Sequence, residues 1–280
     1  MALAVGLGCG AFAVNLGGTA RDFYVVLVTS SLAQLLRHHL AHTRLGRLLT
    51  TVVVAAFASA TALALAGPGV SVAASILLLV PGVPLVSSTA DLFRGDVTAG
   101  LTRATSALLT IIAASVGVWG VILAWGRPAE SGVLPGQDQV LLAALMGGVA
   151  AVGFAVLFDV PRRYLLGSGL VGLVAILTRA SVAAHAWPAE VANLLAGFSI
   201  GLSSELLARR AGCPYSFMAM PGYIPLVPGA VFFSGILHLV AGDYLQGLAS
   251  LIQAQIILLA IALGMGSIPA LFSTSRKAIA

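Results

Sequence analysis

Charge is the scarcest feature of this chain. Its 280 residues include 14 Lys and Arg and 9 Asp and Glu, or 8%, where an ordinary soluble domain carries about 25%. A water-soluble globule could not cover its surface with so few charges. Disorder is excluded as well, because disordered chains are rich in charge and poor in apolar residues. Cysteine is nearly absent: Cys9 and Cys213 make neither a disulfide framework nor a ligand cluster. No metal site and no cofactor are expected. A basic n-region is also lacking, since Met1 runs straight into apolar sequence. The first segment therefore reads as a retained span and not as a cleaved signal peptide.

What is present is apolar. Hydrophobic residues make up 59% and the mean hydropathy is +1.06. The expected class is an all-α polytopic membrane protein. Each span needs about 20 apolar residues, and apolar runs divided by charged or turn residues place ten spans near 2–18, 23–40, 48–65, 70–92, 100–125, 139–158, 164–183, 189–208, 214–241 and 245–272. A tight turn is expected at Gly67-Pro68-Gly69, and a polar loop over 126–138. The net charge of +5 comes from Arg residues at the ends of apolar runs. That placement fits membrane anchors, and nucleic acid is not an expected partner. With ten spans, one side receives Arg37, Arg44, Arg47, Arg94, Arg103, Arg162, Arg163, Arg209, Arg210, Arg276 and Lys277, and the other only Arg21, Arg127 and Arg179. The positive-inside rule then places both termini in the cytoplasm.

An internal repeat organises the chain. Leu79-Val80-Pro81-Gly82 recurs as Leu226-Val227-Pro228-Gly229, and at the same offset of 147 Gly95-Asp96 recurs as Gly242-Asp243 and Gly100-Leu101 as Gly247-Leu248. Ten of the 23 positions in 79–101 are identical without a gap. Each unit would hold five spans, residues 1–125 and 126–280. An odd number of spans turns the second copy upside down, an architecture that recurs in secondary transporters with the site at matched broken helices. The broken helices expected are the fourth, at Pro81-Gly82 and Pro84, and the ninth, at Pro225, Pro228 and Gly229. Proline removes a donor and clashes with the preceding turn, and the freed groups are tolerated only in protein or in a wet cavity.

These residues resemble a known family. Pro-Gly in an apolar helix, followed by Asp91-Leu92, Gly95-Asp96, Gly100 and Arg103, is similar to the first membrane module of the threonine/serine exporters. Ile224-Pro225-Leu226-Val227-Pro228-Gly229 with Gly242-Asp243 resembles the second module. The resemblance implies export of small hydrophilic acids across a bacterial inner membrane, driven by the proton gradient. Relatives with split modules imply succinate as an alternative cargo. Many members carry a cytosolic hydrolase-like stretch before the first span, and none precedes Met1 in this sequence; a short variant and a truncated start both stay open.

Among polar residues, Asp91 and its repeat counterpart His238 are the expected proton carriers, since intramembrane acids tend to be functional and imidazole titrates near neutral pH. Asp91 could instead pair with Arg94. Asp96 and Asp243 are expected to cap the helices that follow them, and Arg103 has a structural role. Asn15 either binds a polar substrate group or bridges helices. Gln246, Ser250 and Gln253 share one face of the last span and could line a polar path. The expected partners are a small amino acid or other small organic acid, protons and the lipid bilayer, with a homo-oligomer open. A membrane-embedded enzyme is the contrasting class, but the chain has no His-Glu-x-x-His, no Gly-x-Ser-x-Gly and no catalytic residues at useful spacing. A channel is a third reading.

Overall fold

The computed structural model describes residues 1–67, 69–125 and 140–277. The expected loop over 126–138, the boundary between the two units and Pro68 of the expected turn lie outside the described residues. Among the described residues twelve α-helices follow one another: α1 (Ala2–Asn15), α2 (Ala20–Leu40), α3 (Arg47–Ala66), α4 (Val70–Ser75), α5 (Gly82–Phe93), α6 (Val97–Trp125), α7 (Val140–Leu157), α8 (Leu165–Ala184), α9 (Ala189–Ala211), α10 (Tyr215–Tyr223), α11 (Gly229–Val240) and α12 (Tyr244–Lys277).

Six of them, α3, α6, α7, α8 with its preceding turn, α9 and most of α12, are long and apolar enough to cross a bilayer. Two bent pairs raise that number to eight: α4 with α5, bent by 67°, and α10 with α11, bent by 45°. Helix α1 is apolar but only 14 residues long, and α2 begins with Arg21 and Asp22 and ends with Arg37, His38 and His39. The surface supports a multi-pass membrane protein. Leu166 is 80% and Leu245 84% exposed, positions that only lipid would cover comfortably.

Local chemistry sets the ends of the elements. Helix α2 opens with a capping box in which Thr19 N–H reaches Asp22 Oδ2 at 2.8 Å and Thr19 Oγ1 accepts from Asp22 N–H at 3.4 Å, satisfying two of the free donors of a helix start. Helix α5 ends in a turn through Gly95 at φ 82°, and α11 in one through Gly242 at φ 87°; only glycine enters that region without strain. After each glycine an aspartate starts the next helix: Asp96 Oδ1 accepts from Ala99 N–H at 3.1 Å, and Asp243 Oδ1 from Gln246 N–H at 3.3 Å.

Much of this geometry occurs twice. Asp96 N–H bonds to the Asp91 carbonyl at 3.0 Å, and Asp243 N–H to the His238 carbonyl at 2.9 Å. Gly18 N–H bonds to the Ala13 carbonyl at 2.9 Å, and Val160 N–H to the Ala155 carbonyl at 3.0 Å, here with a spacing of 142 residues. Gly17 and Asp159, 142 apart, are both left-handed, at φ 86° and 53°. At the same spacing Thr51 Oγ1 donates to the Arg47 carbonyl at 3.0 Å and Asn193 Nδ2 to the Ala189 carbonyl at 2.7 Å.

Packing follows the same correspondence. The contacts of α1 with α2, α2 with α3, α3 with α6 and α5 with α6 are matched by those of α7 with α8, α8 with α9, α9 with α12 and α11 with α12. Helix α1 packs on α7 at the centre, and the exchanged pairs α5–α12 and α6–α11 also touch. Glycine permits the closest approaches: a Cβ at Gly117 of α6 would overlap the Val52 carbonyl of α3, and one at Gly264 of α12 the Leu194 carbonyl of α9.

Candidate functional site: a cavity at two crossed helix breaks

Both bent pairs break in the same way. A 3-10 turn, Leu77–Leu79 or Ile224–Leu226, closes the first arm, an extended valine follows, and Pro81 or Pro228 caps the second arm. Gly82 N–H turns back to the Val80 carbonyl at 2.8 Å, and Gly229 N–H to the Val227 carbonyl at 2.7 Å. In an unbroken helix Gly82 N–H would serve the Leu78 carbonyl. That carbonyl instead accepts from Arg37 Nη1 at 3.3 Å.

The two breaks cross each other reciprocally. A Cβ on Gly82 would stand 2.8 Å from Ile224 Cδ1 and 3.2 Å from Val227 Cγ2, and a Cβ on Gly229 would stand 2.8 Å from Val80 Cγ1. Each proline-following glycine therefore lets the valine of the other break approach.

A cavity of about 650 Å³ opens against this crossing. Its inner wall is residues 77–84 with Ile224 and Val227; its polar lining is Gln34 and Arg37 of α2, Arg47, Thr50 and Thr51 of α3, and Thr110 of α6. Among the described residues no Asp or Glu lines it. Arg47 Nη2 donates to Ser106 Oγ at 2.9 Å. Gln34 is 8% exposed, and its Oε1 has no hydrogen-bond partner among the described residues. The cavity thus presents cationic and neutral polar groups to any occupant. A volume in the usual range for small-ligand sites, with a few convergent polar groups, is the ordinary mark of a binding site. A second hollow of about 490 Å³, between α1, α7 and α8, is lined by Ala, Gly, Val and Leu only.

The sequence-expected residues are distributed as follows. Pro81 and Gly82 line the cavity. Pro225, Pro228 and Gly229 build the second break, which reaches the cavity through Ile224 and Val227. Asp91 is ion-paired with Arg103, not with Arg94, and does not line the cavity. His238 Nδ1 lies 3.6 Å from Asp243 Oδ2. Asn15 is buried; with its amide turned to suit both neighbours it donates to the Ala143 carbonyl at 2.8 Å and accepts from Gly147 N–H at 3.3 Å. It thereby spans one turn of α7 from α1, and its amide is engaged. Gln246 and Gln253 are exposed, whereas Gln255 reaches Thr89 Oγ1 of α5 at 3.4 Å. The residues that sequence reasoning missed are Gln34, Arg37, Arg47, Thr50, Thr51 and Thr110. Arg37 looks like an interfacial anchor in the sequence. The one available signal was that Arg37 and Arg179 stand 142 residues apart, the spacing of the duplicated turns.

Apolar helices, two bent pairs broken at matched prolines, and a cavity at their crossing that carries a few polar side chains define a polytopic α-helical membrane protein with a candidate small-ligand site. The family follows from sequence comparison: residues 1–125 match the family described as putative threonine/serine exporter, and residues 143–270 match the one described as threonine/serine exporter, ThrE. The chain belongs to the threonine/serine exporter family. It is 26% identical over 284 residues to a probable threonine/serine exporter of Mycobacterium tuberculosis, covering 91% of this chain and 51% of that protein. It is 28% identical over 194 residues to the threonine/serine exporter of Corynebacterium glutamicum, covering 67% and 39%. It is 36% identical over 134 residues to a probable succinate transporter subunit, YjjP, of Klebsiella aerogenes, covering 45% and 52%. The chain thus spans about half the length or less of these relatives. No solved structure matches it.

Proposed function

We propose that the protein is a secondary transporter, not an enzyme, that exports small amino acids of the threonine and serine kind across a bacterial inner membrane, using the proton gradient. In this reading it spans the membrane ten times: α1, α2, α3, the α4–α5 pair and α6 form one unit, and α7, α8, α9, the α10–α11 pair and α12 form a second, inverted unit. Both termini and the arginine-rich ends of α2 and α3 face the cytoplasm, so the cavity is open inward. The observation that carries this reading is the reciprocal crossing of the two breaks, Gly82 against Val227 and Gly229 against Val80, with a cavity bearing Gln34, Arg37 and Arg47 on one side of it. Matched half-helices meeting at mid-membrane are what alternating access needs. The duplicated packing pairs support the inverted arrangement.

The test is efflux from cells preloaded with a threonine-containing dipeptide. Expression of the chain should accelerate threonine release, and an uncoupler should abolish the increase. Release of succinate but not threonine would favour the dicarboxylate reading, which the two lining arginines also suit. Proton coupling through Asp91 requires its pair with Arg103 to open during the cycle. In the same assay Asp91→Asn should abolish uncoupler-sensitive release at normal membrane level, while Arg103→Gln, which leaves the carboxylate in place, should retain it. Equal loss in both variants would make the pair a clamp between α5 and α6 and remove Asp91 as a carrier.

A further inference from the structure

The geometry points to Arg37 and Arg179 as a matched pair of carboxylate-binding residues, the first serving the inward-open cavity and the second its outward-open counterpart. This deepens the exporter reading and rests on it.

An arginine inside a span without an acidic partner is costly and marks a functional position. Arg37, exposed in the last turn of α2, lines the cavity, and among the described residues its guanidinium bonds to a backbone carbonyl alone, that of Leu78 at the break. It points toward the break, not toward the helix end as a snorkelling anchor does. Arg179 lies in α8, an apolar span, five residues before its last residue Ala184. It is half-buried and makes no hydrogen bond or ion pair among the described residues.

The two arginines are 142 residues apart, which is the spacing of the duplicated turns Gly18–Ala13 and Val160–Ala155. Two further contacts fix that register across α2, α3, α8 and α9. A Cβ on Gly6 would overlap the Leu27 carbonyl, and one on Gly148 would lie 3.1 Å from the Gly169 carbonyl. Gly117 and Gly264 approach Val52 and Leu194 in the same manner. Leu27 and Gly169, like Val52 and Leu194, are also 142 apart. Arg37 and Arg179 therefore hold equivalent places in the two units.

Among the described residues, each unit also holds one buried amide oxygen without a partner. In the first it is Gln34 Oε1, one turn from Arg37 on the cavity wall; in the second it is Oδ1 of Asn193, 4% exposed, in the place corresponding to cavity-lining Thr51. A guanidinium takes a carboxylate through paired N–H donors. An amide oxygen is an acceptor and takes an ammonium. In the first unit a cation and an unpartnered acceptor three positions apart on α2 suit an amino acid zwitterion, and a guanidinium alone suits any small carboxylate.

The test uses purified full-length protein with L-threonine and with succinate as separate probes, together with export from cells. Arg37→Gln should weaken binding of the transported probe about tenfold to a hundredfold, the worth of a charge-assisted hydrogen-bonded pair, and should stop export. Arg179→Gln should leave binding to the inward-open protein close to wild type yet stop export, a split that a merely structural arginine would not give. Gln34→Leu should weaken threonine and spare succinate. Membrane level and melting temperature check folding, and Arg37→Lys, which keeps the charge without the fork, should bind at an intermediate level. Wild-type binding in Arg37→Gln, or wild-type export in Arg179→Gln, would overturn the pairing. The exporter reading would survive that result, because it depends on export by the unaltered chain.

Discussion

Gly82→Val and Gly229→Val should each cut export severely, and each should be rescued by one particular second substitution. Neither glycine is left-handed, so the backbone accepts a side chain at both places. The obstacle is the other break. A Cβ at position 82 meets Ile224 and Val227, and one at position 229 meets Val80. Overpacking of a filled site costs about 1–3 kcal/mol, a population change of roughly five- to hundredfold, and here it falls where two half-helices must move past each other. Val227→Ala should restore Gly82→Val, because volume is returned to the same contact. Val80→Ala should restore Gly229→Val. The exchanged combinations, Gly82→Val with Val80→Ala and Gly229→Val with Val227→Ala, should not recover. Export by cells at matched membrane levels measures this. Rescue by either alanine regardless of partner would mean that the breaks do not cross reciprocally.

The second large effect is on stability. Gly117→Ala and Gly264→Ala should each lower the melting temperature of the purified protein sharply, and by similar amounts. In both cases the added methyl would collide with a backbone carbonyl, of Val52 or of Leu194, and a carbonyl cannot rotate away as a side-chain end can. Close approach of helices at small residues is a main source of helix association in a membrane, so separating α3 from α6, or α9 from α12, removes packing along a whole span. Gly120 and Gly266 sit on the same two long helices with nothing within 4 Å of a Cβ. Alanine at either should be neutral or slightly stabilising, since glycine costs a helix about 1 kcal/mol relative to alanine. A destabilised Gly120→Ala beside an unaffected Gly117→Ala would contradict the packing described.

The two breaks are legible in the sequence because their cause is local. Proline cannot give the missing donor wherever the chain folds, and Pro-Gly recurring in an apolar helix needs no tertiary information. The Gly-Asp turns are legible for the same reason: Gly95 and Gly242 take a conformation that other residues avoid, and Asp96 and Asp243 supply the acceptor for the next helix start. The earlier part of each unit is hidden. Helices α1 to α3 correspond to α7 to α9 at a spacing of 142, not 147, because α9 is three residues longer than α3 and the arm from Tyr215 to the turn at Ile224 is two residues longer than the arm from Val70 to the turn at Leu77. With that shift, few identities remain, and the pairing of Arg37 with Arg179 cannot be seen from the 147-residue register. The cavity is hidden for a different reason. Arg37 near the end of a span reads as an anchor at the membrane surface, and only the three-dimensional path of its side chain, turned back to the Leu78 carbonyl, shows it facing the break. Asp91 illustrates the converse: the residue most conspicuous in an apolar run is ion-paired with Arg103 and does not line the cavity.

Two inverted units that open alternately to opposite sides of the membrane are the centre of this account, and accessibility of one matched pair of positions tests it most directly. Thr51 lines the cavity, and Asn193 holds the corresponding buried place in the second unit. Single cysteines at these positions, in a chain with Cys9→Ala and Cys213→Ser, can be labelled by an impermeant maleimide in inside-out and right-side-out vesicles. At rest Thr51→Cys should react from the cytoplasmic side and Asn193→Cys should be protected. During threonine export driven by a proton gradient, Asn193→Cys should become reactive from the outside while the reactivity of Thr51→Cys falls. Reactivities that rise and fall together, or Thr51→Cys labelled only from the outside, would contradict it.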